Sequence, residues 1–174
     1  MEKKNLIIIT DYQSPCGTLV LGSFQDKLCL CDWLVESHHK RVKRHIERIL
    51  HAEFEIGISE IIRLATTQLN EYFQKKRRQF SIPLLFTGTD FQNNVWNELV
   101  KIPFGTTASY SEIASRIGQP AAVRATANAN GANPLSIFVP CHRVIGRNGT
   151  LTGYGGGLDT KLFLLQLEGL YFQL

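Results

Sequence analysis

The chain has 174 residues, 44% apolar and 20% charged, with a formal net charge of +4. That length suits one domain or two small packed ones with a real core, and the composition excludes a disordered chain. Its longest apolar runs, such as residues 6–9, are far too short to span a bilayer. The start Met1-Glu2-Lys3-Lys4 lacks a signal-peptide pattern, so a cytoplasmic protein is expected.

The first third reads as strands over residues 5–10, 17–23 and 27–33, with turn residues Ser14-Pro15 and Gln25-Asp26 between them. The period then changes. Val42, Ile46, Ile49 and Leu50 fit a short helix whose start carries Lys40, Arg41, Lys43 and Arg44. Ile61, Ile62, Ala65, Leu69, Tyr72 and Phe73 make a helical stripe with Leu64 at its margin, closed by the cations of residues 75–78 on a solvated face. Residues 80–86 read as extended. Thr87-Gly88-Thr89-Asp90 marks a boundary between an N-terminal α/β domain, 1–86, and a C-terminal domain, 87–174.

Asp90 is suited to cap a helix with Phe91, Val95, Trp96, Leu99 and Val100 on its apolar face, stopped at Pro103-Phe104-Gly105. Ser109 and Glu112 form an S-x-x-E capping box. Gly118-Gln119 turns the chain, and Pro120 fits the first turn of a further helix, giving a helix-turn-helix pattern. Asn130-Gly131-Ala132-Asn133-Pro134 reads as a helix end and tight turn into an extended stretch at 135–139. Asp159 is placed to cap a last helix through Leu162, Leu165 and Glu168. The tail 168–174 resembles a protease tag but departs from it at Gly169 and Leu174, and is read as native.

Charge divides unevenly. Residues 1–80 hold 13 Lys and Arg against 10 Asp and Glu; residues 81–174 hold 6 against 5. This permits nucleic-acid binding without requiring it. Of the cysteines, Cys29 and Cys31 are alternate residues of one strand and face the same side. With no C-x-x-C pair and no zinc spacing, Cys16, Cys29, Cys31 and Cys141 read as thiols of a reducing compartment.

The chemistry concentrates at Pro140-Cys141-His142-Arg143-Val144-Ile145. A thiol reacts as thiolate and needs a base or a positive environment to form one near neutral pH. His142 and Arg143 are at hand, although neighbours on an extended strand point to opposite faces, so a water would relay the proton. A cysteine is commonly buried and inert; the surrounding Asn133-Pro134, Pro140 and glycine cluster favour the reactive reading. The helix after Pro120 is built of small residues, which allows close backbone approach to a partner or tight packing on another helix. Its single charge, Arg124, is open between insertion into a base stack, phosphate binding and a surface salt bridge. Asn133 is either a turn residue or a bridge between that helix and the cysteine segment.

Taken with Gly153-Tyr154-Gly155-Gly156-Gly157, Lys161 and Glu168, these runs resemble the O6-alkylguanine-DNA alkyltransferases (methylated-DNA–protein-cysteine methyltransferases) strongly over residues 90–169. Ser14-Pro15-Cys16-Gly17 is a weaker match to the family's variable first domain. The resemblance implies a small antiparallel sheet with helices, ribonuclease H-like, followed by a mostly α, winged-helix-like domain with the helix-turn-helix. It implies irreversible, single-turnover transfer of an alkyl group from guanine O6, and from thymine O4, to Cys141. His142 would be the base through water, Glu168 its orienter, Asn133 a hinge, and Tyr110 a donor to the leaving guanine that also presses a phosphate. Val144, Tyr154, Gly155, Gly156 and Lys161 would line the base pocket. Arg124 would fill the gap left by a flipped base; Tyr110, Ser111, Gln119, Ala125, Ala129 and Arg147 would meet double-stranded DNA in the minor groove.

The same resemblance implies a monomer with no cofactor and no membrane partner. Phe24 stands where some members have a zinc-ligating cysteine, so no metal is expected, and His38 and His39 are placed on a solvated, cationic helix approach. Gly155 stands where some members have serine, which would leave one substrate hydrogen bond to backbone. Rival readings are a lesion binder without transfer, which Cys141 opposes, a helix-turn-helix regulator, and a cysteine hydrolase with turnover.

Overall fold

In the computed structural model, residues 4–172 are described; Met1-Glu2-Lys3 and the tail residues Gln173 and Leu174 lie outside them. The chain forms two compact units, Met1–Thr87 and Gly88–Leu174.

In the first unit, β1 (Leu6–Ser14), β2 (Gly17–Phe24) and β3 (Lys27–Trp33) form an antiparallel meander. Helix α1 (Glu36–Leu50) leads to β4 (Glu53–Ile56), and helix α2 (Glu60–Phe73) follows. The strand order is β3-β2-β1-β4, and β4 runs parallel to β1, with Leu6 opposite Glu53. The sheet is therefore mixed rather than antiparallel. The 80–86 segment is not a strand of its own: Leu84 alone bridges to Leu28, with Leu28 N donating to Pro83 O and Leu85 N to Leu28 O.

Side-chain alternation explains why β2 and β3 are buried almost throughout. Val20 packs in one cluster with Ile7, Leu30, Val42 and Ile46, so α1 covers that face. Leu19 and Leu21, equally buried, point the other way, where α2 packs its Ile62, Ala65, Leu69 and Tyr72 stripe on β1–β3. Ser59 caps α2 by accepting from Ile62 N. The cations of residues 75–78 lie beyond the helix end, with Arg77 turned back onto Glu71 at 2.6 Å. His38 and His39 are not on a solvated approach: both belong to α1, and their Nδ1 atoms lie 3.3 and 3.4 Å from the fully buried Asp32 carboxylate. A buried carboxylate at the end of β3 draws the imidazoles inward.

The second unit opens with α3 (Asp90–Val100). Its cap is Thr89 in a capping box with Gln92; Asp90 sits in the first turn, where its charge suits the helix dipole. Ser109 and Glu112 form the second capping box, opening α4 (Tyr110–Arg116). Pro120 lies in the turn, and α5 (Val123–Gly131) starts three residues later behind Ala122. The stretch 135–139 is a tight turn rather than extended chain, with Val139 N donating to Leu135 O. A short parallel pair joins β5 (Ala108–Ser109) to β6 (Val144–Ile145). The last helix, α6 (Leu158–Leu167), is capped by Gly157 at φ 91°, not by Asp159. Among the described residues no helix is long and apolar enough to cross a membrane.

Thr89 satisfies one orphan amide of α3 directly and, through Gln92, has its own amide satisfied. Thr89→Ala is expected to lower unfolding free energy by about 1 kcal/mol in urea denaturation; an unchanged midpoint would show that the cap contributes nothing.

Candidate active site

Cys141, His142 and Arg143 form one turn of 3-10 helix, so the thiol and imidazole are not on an extended strand as the sequence suggested. The turn is prepared by the segment before it. Ile137, 1% exposed, adopts φ 72°, a region that β-branched residues reach only when the surroundings enforce it. Asn133 helps enforce it: its Nδ2 donates to Val139 O at 2.8 Å and its Oδ1 accepts from Leu135 N at 2.9 Å. Both bonds lie within the 133–139 turn that leads to Pro140 and Cys141. Asn130, at the end of α5, adds a long contact from Nδ2 to Cys141 O at 3.5 Å.

Glu168 follows α6 and is almost fully buried. Its Oε1 lies 2.8 Å from His142 Nε2 and 2.8 Å from Arg143 Nη2. Oε2 accepts from Arg143 Nε at 2.9 Å and from Gly105 N at 3.1 Å. Arg143, itself buried, also donates to Ile102 O at 2.7 Å. Burial alone would raise the Glu168 carboxyl; the hydrogen bonds and charges of His142 and Arg143 outweigh it and hold the group well below its ordinary value. Burial lowers His142, helped by the charges of Arg143 and Lys161 against the opposing pull of Glu168, so the ring is neutral. An ionised Glu168 can only accept, which places the ring proton on Nε2 and leaves Nδ1 as the acceptor. Nδ1 is buried with no hydrogen-bond partner among the described residues. A neutral imidazole with a free, fixed lone pair has the chemistry of a general base.

Lys161 is fully buried, and its Nζ donates to Val144 O at 2.6 Å and Thr152 O at 3.3 Å. It thereby ties β6 to the loop leading into Tyr154, Gly155 and Gly156, all half-buried. Burial pushes its ammonium down to about 8, against the pull of Cys141. The Tyr110 hydroxyl meets Thr152 Oγ1 at 2.5 Å; burial raises its phenol above the ordinary value, so it stays a proton donor. Tyr110 and Lys161 are thus each within electrostatic reach of Cys141, and Val144, whose carbonyl accepts from Lys161, is fully buried.

The surface residues fall into two sets. Arg124 and Ala125 are exposed on α5 and Gln119 on the turn before it. Arg147 and Ser111 line an open groove of about 740 Å³ with Ser109, Glu112, Ser115 and Arg116. Ala129 belongs to neither: it is 3% exposed, on the inward side of α5, where its carbonyl accepts from Trp96 Nε1 at 2.8 Å. Sequence reasoning missed Arg143 as the counter-charge of Glu168, and Thr152 as the partner of Tyr110. Arg143 carried a signal, a cation one residue beyond the histidine; Thr152 carried none. None of the four cysteines is in a disulfide.

Comparison with known proteins accords with this arrangement. The family model described as 6-O-methylguanine DNA methyltransferase, DNA binding domain, matches residues 90–170. The methylated-DNA–protein-cysteine methyltransferase of Methanosarcina acetivorans is 43% identical over 158 residues, 91% of this chain and 96% of that one. The constitutive enzyme of that name from Bacillus subtilis is 40% identical over 165 residues, 94% and 96% of the two chains. Among solved structures, Mycobacterium tuberculosis OGT in complex with DNA superposes with a TM-score of 0.77 at 42% identity, covering 94% of this chain and 92% of that one. The two-unit α/β architecture and the cysteine site are those of one class of protein. This chain belongs to the methylated-DNA–protein-cysteine methyltransferase family.

Glu168 and His142 set how stability depends on pH. Folded Glu168 titrates below its unfolded value near 4.5, so its contribution is full above that value and lost as pH falls below it. Folded His142 lies below 6.5, so the unfolded ring takes up a proton first and stability also declines below 6.5. Urea midpoints should therefore fall on acidification from pH 7. Glu168→Gln, which leaves Arg143 buried beside a neutral amide, should cost about 3–5 kcal/mol at pH 7 and flatten the acid limb. A variant whose acid limb parallels the parent's would refute this account of the pair.

Proposed function

We propose that this protein repairs DNA by moving the alkyl group from O6-alkylguanine to its own Cys141, once and irreversibly. The observation that carries the proposal is the buried His142–Glu168 pair, with Nδ1 buried and unbonded on the residue that follows Cys141 in the same 3-10 turn. His142 Nδ1 takes the thiol proton through a bridging water, while Glu168 keeps the ring in the required tautomer. The thiolate attacks the alkyl carbon; the S–C bond forms, the O6–C bond breaks, and guanine leaves as its ordinary lactam after gaining a proton. Tyr110, kept protonated by burial and oriented by Thr152, gives a proton to the leaving base and is reprotonated through water with the proton that His142 took, so the thiol proton ends on guanine. Cys141 ends as a thioether, which the site has no group to cleave. The reaction needs no cofactor, and O4-alkylthymine offers the same leaving-oxygen chemistry.

Because the reacting atom lies inside a duplex, the base must be extruded at a cost of roughly a few kcal/mol. Pro120 to Gly131, with small exposed residues around Arg124, suits entry of α5 into the minor groove as the second helix of a winged helix-turn-helix, Arg124 filling the emptied stack. Gln119, Ala125, Ser111 and Arg147 meet the backbone, and Tyr154, Gly155, Gly156 and Val144 form the base pocket, held by Lys161. The first unit, with its mixed sheet, fits a ribonuclease H-like domain. The protein acts as a cytoplasmic monomer.

Incubation with an O6-methylguanine duplex is expected to add one methyl mass at Cys141 and to stop at one equivalent. Continued turnover, or DNA binding without a mass change, would refute the reading; Cys141→Ala should still bind DNA. Arg124→Ala should slow repair of duplex at least about tenfold while leaving reaction with free O6-benzylguanine near parental, since only the duplex pays for extrusion. Equal losses on both substrates would remove Arg124 from that role.

A further inference from the structure

The second unit is poor in available cations for a surface that meets a polyanion. Of its six Lys and Arg residues, Arg143 and Lys161 are buried in the site and Lys101 pairs with Glu98 at 2.5 Å. Only Arg116, Arg124 and Arg147 remain exposed without such duties. The first unit holds the larger reserve, and it is concentrated on one helix. In its 15 residues α1 carries Lys40, Arg41, Lys43, Arg44 and Arg48 against Glu36 and Glu47.

Helical spacing sorts these residues. At about 100° per residue, Lys40, Arg41, Arg44 and Arg48 fall within one sector of about 100°, and all four are exposed. The opposite face is spent on the core, with Ile46 fully buried and Val42 nearly so. Lys43 is set aside over the Phe54 ring at 4.5 Å. Arg41 and Arg44 have no carboxylate within ion-pair distance among the described residues. From Lys40 to Arg48 the stripe runs about 12 Å, long enough to face more than one phosphate of a duplex that carries one per strand about every 3.4 Å of helix axis.

We infer that the α1 face of Lys40, Arg41, Arg44 and Arg48 is a second, sequence-independent contact for the phosphate backbone of DNA, supplying binding energy that the cation-poor catalytic unit lacks. The inference rests on the DNA substrate proposed above. Charge complementarity selects the occupant. A lipid surface would also attract cations, but an interfacial helix needs an exposed apolar face to insert, and α1 has that face in the core. Arginine is well suited to phosphate because its planar fork pairs two oxygens at once.

The test is fluorescence anisotropy of the full-length protein with an undamaged labelled duplex of about 20 base pairs, at about 0.05 to 0.3 M salt. The triple variant Arg41→Gln, Arg44→Gln, Arg48→Gln is expected to bind at least about tenfold more weakly at the lower salts. Its slope of log affinity against log salt should flatten by about 2 to 3, near 0.9 for each lost phosphate contact. The control Lys27→Gln, Lys75→Gln, Lys76→Gln removes the same net charge from other exposed positions and should stay within about twofold of the parent. Parental affinity and slope in the arginine triple, or an equal loss in the control, would overturn the inference. So would loss of binding to phosphatidylserine vesicles with DNA binding unchanged. Reaction with free O6-benzylguanine reads the Cys141 chemistry alone and should be the same in parent and triple. A parent that gains no methyl from an O6-methylguanine duplex would refute the alkyl-transfer reading and leave the DNA isotherms to judge α1.

Discussion

The catalytic unit depends on one buried carboxylate. Glu168 is the meeting point of three segments: the 3-10 turn with His142 and Arg143, the Gly105 corner after α3, and the end of α6. An ionised carboxylate out of water is tolerable only when nearly all its lone pairs are used, and here they are. The same contacts that make the charge acceptable define the base, because an acceptor-only partner at Nε2 leaves Nδ1 as the one basic position of the ring. Structure and chemistry are therefore not separable at this residue.

Around that centre the chain is held from both sides. Trp96 ties α5 to α3 through the Ala129 carbonyl, and Asn133 ties the end of α5 to Val139. Lys161 clamps Val144 and Thr152 from α6. Ile137, in the left-handed region, shows how tightly this segment is determined, since a β-branched residue gains nothing locally from that conformation. What results is a thiol and an imidazole fixed in one turn, next in the chain to a helix whose exposed side chains are small apart from Val123, Arg124 and Asn128.

Features encoded by neighbouring residues were legible in the sequence. The meander, the α2 stripe with Leu64 at its margin, and the Ser109–Glu112 box each follow from local periodicity or capping. Legibility failed where the outcome belongs to distant partners. Glu53–Ile56 is short, and only its parallel alignment with β1 makes it a strand. His38 and His39 look like surface residues until Asp32 is seen to be buried beneath them. Pro120 fits a first helical turn by rule, but the chain uses it in the connection and starts α5 at Val123. At the site, Cys141 and His142 stood out as a thiol beside an imidazole and Glu168 came from the family resemblance, whereas Arg143 as counter-ion and Thr152 as the partner of Tyr110 were visible only in the fold. Ala129 was misplaced because a run of alanines gives no indication of which face turns inward.

The position of Glu168 also orders events in time. A ribosome delivers Cys141 and His142 before the residue that gives the imidazole its tautomer, with 26 positions separating histidine from carboxylate. Until the last turn of α6 has formed, the thiol lacks an oriented base and Arg143 lacks its counter-charge. Under the proposed mechanism, a protein that can be used only once would keep its nucleophile unarmed during its own synthesis and become reactive when it is ready to be spent on damage.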